Sequence, residues 1–252
     1  MGSSPISASS RLIRSCIVLL FYLPAFDAPA HAQVADALYA DRANLASARR
    51  AAGLWKADLA ANPRDFAAAW KLARADYWIG GHVPAADARA VYEDGIAAGR
   101  AAVAAEPNRP EGHFWIAANM GAMAESFGLR QGIKYRGAIK EELEAVLRID
   151  PAFQQGSADR ALGRWYYKVP RLFGGSHKEA EAHLRASLAY NPHSTASHFF
   201  LAELLIDDGR KAEAIAELES VIRGPIDPEW APEDREFQAR ARALLAKLQP
   251  RP

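Results

Sequence analysis

Cysteine is nearly missing from this chain: among 252 residues only Cys16 carries a thiol, so neither a disulfide framework nor a thiolate metal site can be built. Alternating runs of Val, Ile or Thr are missing too, which leaves nothing from which to form a sheet. Charge of one sign is not in excess, because 31 Lys and Arg stand against 30 Asp and Glu. Without a basic stripe, nucleic acid is excluded as a partner. The seven histidines show no HExxH or comparable ligand spacing, and no metal or cofactor is implied. Gly156-Ser157-Ala158 lacks the strand-turn-helix setting of a nucleophile elbow. Gly174-Gly175-Ser176 is too short for a phosphate loop, and Lys178 comes two residues late for one. Glu141, Glu142 and Glu144 face Lys140 and Arg148 at helical spacing, as on a solvated edge. The chain therefore reads as non-catalytic.

Half of the residues are hydrophobic and 24% are charged, the composition of a globular protein. Arg11 and Arg14 precede an apolar run at 17–26, and Ala30-His31-Ala32 follows with small residues where a signal peptidase cuts. Residues 1–32 are expected to be a secretory signal, cleaved before Gln33, and the remainder periplasmic or secreted. Pro24 and Asp27 interrupt a run already shorter than the roughly 20 residues of a spanning helix, so no transmembrane span is expected after processing. Cys16 stands before the run and not at the cleavage point, which does not suit lipid attachment. Cleavage removes Arg11, Arg14 and Asp27 and so balances the charge of what is left.

Beyond the leader the chain repeats itself. Asn62-Pro63, Glu106-Pro107, Asp150-Pro151, Asn191-Pro192 and Asp227-Pro228 place prolines 44, 44, 41 and 36 residues apart. Proline forces its predecessor out of the helical region, so each pair is expected to close one helix and lead into the next. Nine and ten residues after three of these prolines come Leu72-Ala73, Ile116-Ala117 and Leu201-Ala202, and Leu162-Gly163 is two residues late. Ala69, Leu72, Ala73 and Asp76 share one helical face, as do His113, Ile116, Ala117 and Met120. His198, Leu201, Ala202 and Leu205 form the corresponding face later, which gives His113 and His198 equivalent places and a packing or hydrogen-bonding role. Gly95 and Gly99 cost helix stability and are expected to allow a close helix approach. Ser157 is expected to be an N-cap. The patterns predict helices near 36–61, 66–79, 85–104, 111–126, 132–148, 157–168, 177–190, 195–208, 210–222 and 232–248, the outer two as caps.

From Thr195 onward, Leu201, Ala202, Gly209, Ala214, Leu218 and Val221 stand at the offsets of a tetratricopeptide repeat, which this stretch resembles. The resemblance implies an all-α, tetratricopeptide-like α-solenoid of about four helix pairs, with N- and C-terminal capping helices, over residues 33–252. The segment Ala158-Asp159-Arg160-Ala161-Leu162-Gly163-Arg164-Trp165-Tyr166-Tyr167-Lys168-Val169-Pro170, with Phe173-Gly174-Gly175-Ser176 after it, resembles the central signature of the TatT family. Those are periplasmic tetratricopeptide proteins associated with tripartite (TRAP) transporters of organic acids. The likeness is good over residues 150–222 and architectural before them, and it implies a hydrophobic ligand held in a pore or groove. Gly174 and Gly175 also suit a helix end, with Ser176 and Glu179 as the capping box of the next helix. Trp165 and Tyr166 suit an aromatic core as well.

In the wider repeat family, positions 2, 5, 9 and 12 of each first helix line the concave face. Carried over, that face is Ala67, Trp70, Arg74, Tyr77; Glu111, Phe114, Ala118, Gly121; Ser157, Arg160, Arg164, Tyr167; and Ala196, Phe199, Glu203, Ile206. The candidate ligand-binding residues are Trp70, Arg74, Tyr77, Phe114, Arg160, Arg164, Tyr167, Phe199 and Glu203. An apolar wall with guanidinium groups suits an amphiphilic anion. The other account packs the aromatics between repeats and pairs the arginines with Asp159, Glu203 or Glu111. Two functions follow: a non-catalytic periplasmic protein that holds a hydrophobic or anionic small molecule as accessory to a TRAP transporter, or a scaffold for a peptide or partner protein. A closed pocket favours the first and an open groove the second; a homo-oligomer is compatible with either.

Overall fold

The computed structural model describes residues 1–2 and 28–249, so the leader expected over 1–32 lies largely outside the described residues, Cys16 with it. The described chain is helical: α1 (Ala28–Ala40), α2 (Leu45–Ala61), α3 (Phe66–Gly81), α4 (Ala85–Ala105), α5 (Pro110–Phe127), α6 (Leu129–Ile149), α7 (Ser157–Lys168), α8 (His177–Tyr190), α9 (Thr195–Asp207), α10 (Lys211–Arg223) and α11 (Ala231–Leu248). One 3-10 turn, Arg171–Phe173, lies between α7 and α8. Helices α3 to α10 are the four expected pairs, α1 and α2 cap one end and α11 the other.

Four of the X-Pro pairs end their helices alike. Asn62, Glu106, Asp150 and Asn191 have extended φ/ψ near −140° and 90°, and each still donates its N–H to the carbonyl four residues back. In three of them the side chain then accepts from the backbone two residues on, as in Asn62 to Arg64, Asp150 to Ala152 and Asn191 to His193. The fifth pair behaves otherwise. Gly224 closes α10, and Asp227-Pro228 belongs to the loop that leads to α11.

The recurring pairs lie where helices meet. Leu72, Ala73, Ile116, Ala117, Leu162, Leu201 and Ala202 are all buried. A Cβ on Gly163 would stand 2.6 Å from Leu184 Cγ, and one on Gly99 2.6 Å from Ile116 Cγ1, so both glycines permit the close approach. His113 and His198 are bound identically. His113 sits between Glu142 (2.6 Å) and the Pro107 carbonyl (3.0 Å), and His198 between Glu217 (2.5 Å) and the Pro192 carbonyl (2.9 Å). Each ring ties the first helix of a repeat to its second and to the turn before it.

Two expectations are corrected. The single helix at 36–61 is two, because Asp41 to Asn44 offer polar side chains to the backbone: Asn44 caps α2 by accepting from Ala46 N, and Ser47 Oγ donates to Asp41 at 2.7 Å. The N-cap of α7 is Gly156 in the left-handed region (φ 78°), while Ser157 is the first helical residue and bonds back to the Phe153 carbonyl at 3.0 Å.

Asp76 shares the core face of α3, as its spacing requires, and its buried Oδ2 has no partner among the described residues. Burial raises its pKa to about 8. The proton is thus bound more tightly in the folded than in the unfolded chain. The stability associated with it is complete below about pH 4 and is lost as pH rises through about 8. An Asp76→Asn chain should melt like the parent near pH 4 and on the order of 5 °C higher at pH 8, as followed by circular dichroism.

Candidate functional site

Successive helices pack in chain order, and the curvature of the stack brings α11 back to the beginning. Arg42, in the break between α1 and α2, is 4% exposed. Its Nε and Nη2 reach the two carboxylate oxygens of Glu233 on α11 at 2.8 and 2.5 Å, and Nη2 also donates to the Glu229 carbonyl at 2.6 Å. The guanidinium lies against the rings of Tyr39, Trp78 and Trp230, and the Trp78 indole donates to the Arg42 carbonyl at 2.8 Å. Burial alone would lower the pKa of this guanidinium, but the Glu233 hydrogen bond and charge more than offset it. Further along α11, Glu236 pairs with His82 Nε2 at 2.7 Å, which raises the imidazole pKa. These contacts close the stack into a ring.

Inside it lies a cavity of about 1140 Å³, slightly beyond the usual upper end for small-molecule sites. Helix α5 gives it Phe114 and Trp115, α6 gives Ile139 and Leu143, and α7 gives Trp165. Phe173 enters from the 3-10 turn, Phe200 from α9, and Trp230 and Phe237 from the capping segment. Trp165 is held in place by its indole N–H, which donates to the Arg136 carbonyl at 2.9 Å. Gln154 and Gln155 line the cavity at φ 43° and 58°, a strained conformation for residues with side chains. Asn191 donates to Gln155 and helps to hold the turn.

Of the nine candidate residues, Tyr77, Phe114, Arg160 and Arg164 line this cavity. Arg164 is spent on ion pairs, with Glu125 at 2.9 Å through both Nε and Nη2 and with Glu203 through Nη1. Burial would raise the Glu125 pKa, but Arg164 holds it below the usual carboxylate range. Glu203 thus serves as a partner for Arg164. Tyr167 donates to Asp207 at 2.5 Å outside the cavity. Phe199 is buried among Ala202, Leu218, Val221 and Ala241, beside Phe237 at 5.5 Å. Arg74 lies between the rings of Tyr39 and Trp70, its centre 4.2 and 4.9 Å from theirs, and lines a smaller cavity of about 190 Å³ near Arg42. Asp159 pairs with His183 at 2.7 Å, not with Arg160.

Tyr77 is 39% exposed, yet burial raises its hydroxyl pKa to about 12. Both follow if its exposure is to the cavity. Arg160, one turn before Arg164, is half-buried, and its enclosed position lowers its pKa. The residues that sequence reasoning missed come from other positions on the helices and from α11: Trp115, Ile139, Leu143, Phe237 and Arg240.

The chain matches the family described as TRAP transporter T-component over residues 111–249, and that described as Regulator of microtubule dynamics protein 1-3 over residues 32–174. No curated protein matches it. Among solved structures it is similar to a thermophilic TPR protein of Thermus thermophilus, with TM-score 0.64 and 24% identity over 86% of this chain and 98% of that one. It is also similar to the protein MamA, with TM-score 0.50 and 15% identity over 84% of this chain and 93% of that one. The first of these likenesses shows a tetratricopeptide-type fold.

Proposed function

We propose, for a chain that belongs to the TRAP transporter T-component family and, over residues 32–174, to that of the Regulator of microtubule dynamics protein 1-3, that it is a non-catalytic periplasmic binding protein serving a TRAP transporter. Its cargo is a hydrophobic or organic-acid molecule held inside the ring. The observation that carries this reading is the aromatic-walled cavity of about 1140 Å³, lined in part by α11. An extended peptide would use a face lined by the first helices alone, whereas Trp230, Glu233 and Phe237 of the capping segment add to this wall. The family description supports a transport partner. Export rests on the leader, whose removal before Gln33 spares Ala35 and Tyr39, through which α1 enters the core. Among the described residues no helix is long and apolar enough to cross a membrane.

Gly121 offers a direct test, because it lines the cavity and a Cβ there meets nothing within 4 Å. A Gly121→Trp side chain would occupy ligand space while the helix loses a glycine. Titration with the apolar dye N-phenyl-naphthylamine should give saturable fluorescence enhancement with the parent protein. The tryptophan variant should bind at least about tenfold more weakly with an unlowered melting temperature. A parent protein that leaves the dye unchanged sinks the reading.

A further inference from the structure

Five arginine and lysine side chains line the cavity, and two of them, Arg164 and Arg136, are hydrogen-bonded within the protein. Arg164 holds two glutamates, Arg136 donates to the Ile133 carbonyl, and Lys168 and Arg240 lie over aromatic rings. The Arg160 side chain has no hydrogen bond, ion pair or ring contact among the described residues. The charge of Asp234 reaches it, but the oxygens of that carboxylate accept from Thr195 Oγ1 at 2.5 Å and from Asp227 N at 2.9 Å. The Tyr77 hydroxyl likewise has no hydrogen-bond partner among the described residues, and it is near enough to feel the Arg160 charge. A guanidinium and a phenol without hydrogen-bond partners among the described residues thus line a cavity whose carboxylates Glu125, Glu233 and Asp234 are already bound within the protein. Leaving a cation unpaired in such a place is costly unless a ligand completes it.

Resting on the ligand-holding reading above, we infer that Arg160 and Tyr77 anchor the head group of an amphiphilic monocarboxylate whose apolar body lies against Trp115, Ile139 and Leu143. A guanidinium fork and a phenol match the two oxygens of a carboxylate.

The test is displacement of N-phenyl-naphthylamine by dodecanoate and by dodecanol, which differ in the head group alone. The parent protein should bind the acid at least about tenfold more tightly than the alcohol, the scale of one charge-assisted hydrogen bond. Arg160→Gln should bring the acid down to the level of the alcohol, leave the alcohol unchanged and not lower the melting temperature. Tyr77→Phe should narrow the gap in part. Equal binding of acid and alcohol by the parent overturns the anchor and leaves the cavity reading intact. Binding of neither overturns both. If Arg160→Gln does not fold, the acid preference of the parent and its narrowing in Tyr77→Phe decide the question in the same terms.

Discussion

An Arg42→Met chain is expected to melt on the order of 10 °C below the parent, even though methionine preserves much of the apolar contact with Tyr39, Trp78 and Trp230. The loss comes from Glu233, which keeps a mostly buried carboxylate when its bidentate partner is gone. Removing one side of a buried pair typically costs about 3 to 5 kcal/mol. The ring should open at the same place, so that amides of α11 lose hydrogen-exchange protection before those of α5 and α6 do. Replacing both residues, Arg42→Met with Glu233→Leu, should recover much of the melting temperature, because no uncompensated charge is left. A single variant as stable as the parent would mean that the clasp contributes nothing and that other contacts, His82 with Glu236 among them, hold the ring closed.

Gly175→Ala should be at least as damaging. A Cβ at that position would lie 1.6 Å from the Val169 carbonyl oxygen and 2.7 Å from its carbon, both of them backbone atoms that cannot rotate away. The turn is also tied by Gly175 N to the Pro170 carbonyl at 3.2 Å and by Ser176 N to the Tyr166 carbonyl at 2.9 Å. Accommodating a methyl group breaks these bonds, shifts Phe173 away from the cavity wall and loosens the Ser176 cap on α8. Little folded protein should be recovered, and what is recovered should bind the apolar dye poorly. Gly174→Ala should be milder, since its φ of 104° strains a side chain but the nearest atom to a Cβ is 3.5 Å away. Equal tolerance of both substitutions would contradict this geometry.

Much of this was legible in the residues. The X-Pro pairs set most helix ends because proline acts on its immediate neighbour, and α7 and α8 begin and end where the patterns put them. Leu-Ala pairs and equivalent histidines marked the helix contacts for the same reason: a repeat imposes one local geometry several times over. The break at Asp41 to Asn44 contains neither proline nor glycine, and only side-chain bonds to nearby groups reveal it. The cavity was legible by half. Spacing along first helices put Tyr77, Phe114, Arg160 and Arg164 on its wall, but spacing cannot tell a free arginine from a spent one. That Glu125, 39 residues before Arg164, occupies its guanidinium is a property of the stack. Closure by α11 is longer in range still, since Arg42 and Glu233 are 191 residues apart. A terminal helix with polar and apolar faces reads as a cap whether or not it also completes a ring.

The account stands or falls on whether the ring holds a molecule. Native mass spectrometry of the protein purified from the envelope of the cells that make it tests this directly. The predicted spectrum shows a chain beginning at Gln33 with an added mass of a few hundred daltons, released on denaturation and identified as an amphiphilic acid. A bare chain that also fails to take up dodecanoate added in excess would contradict it.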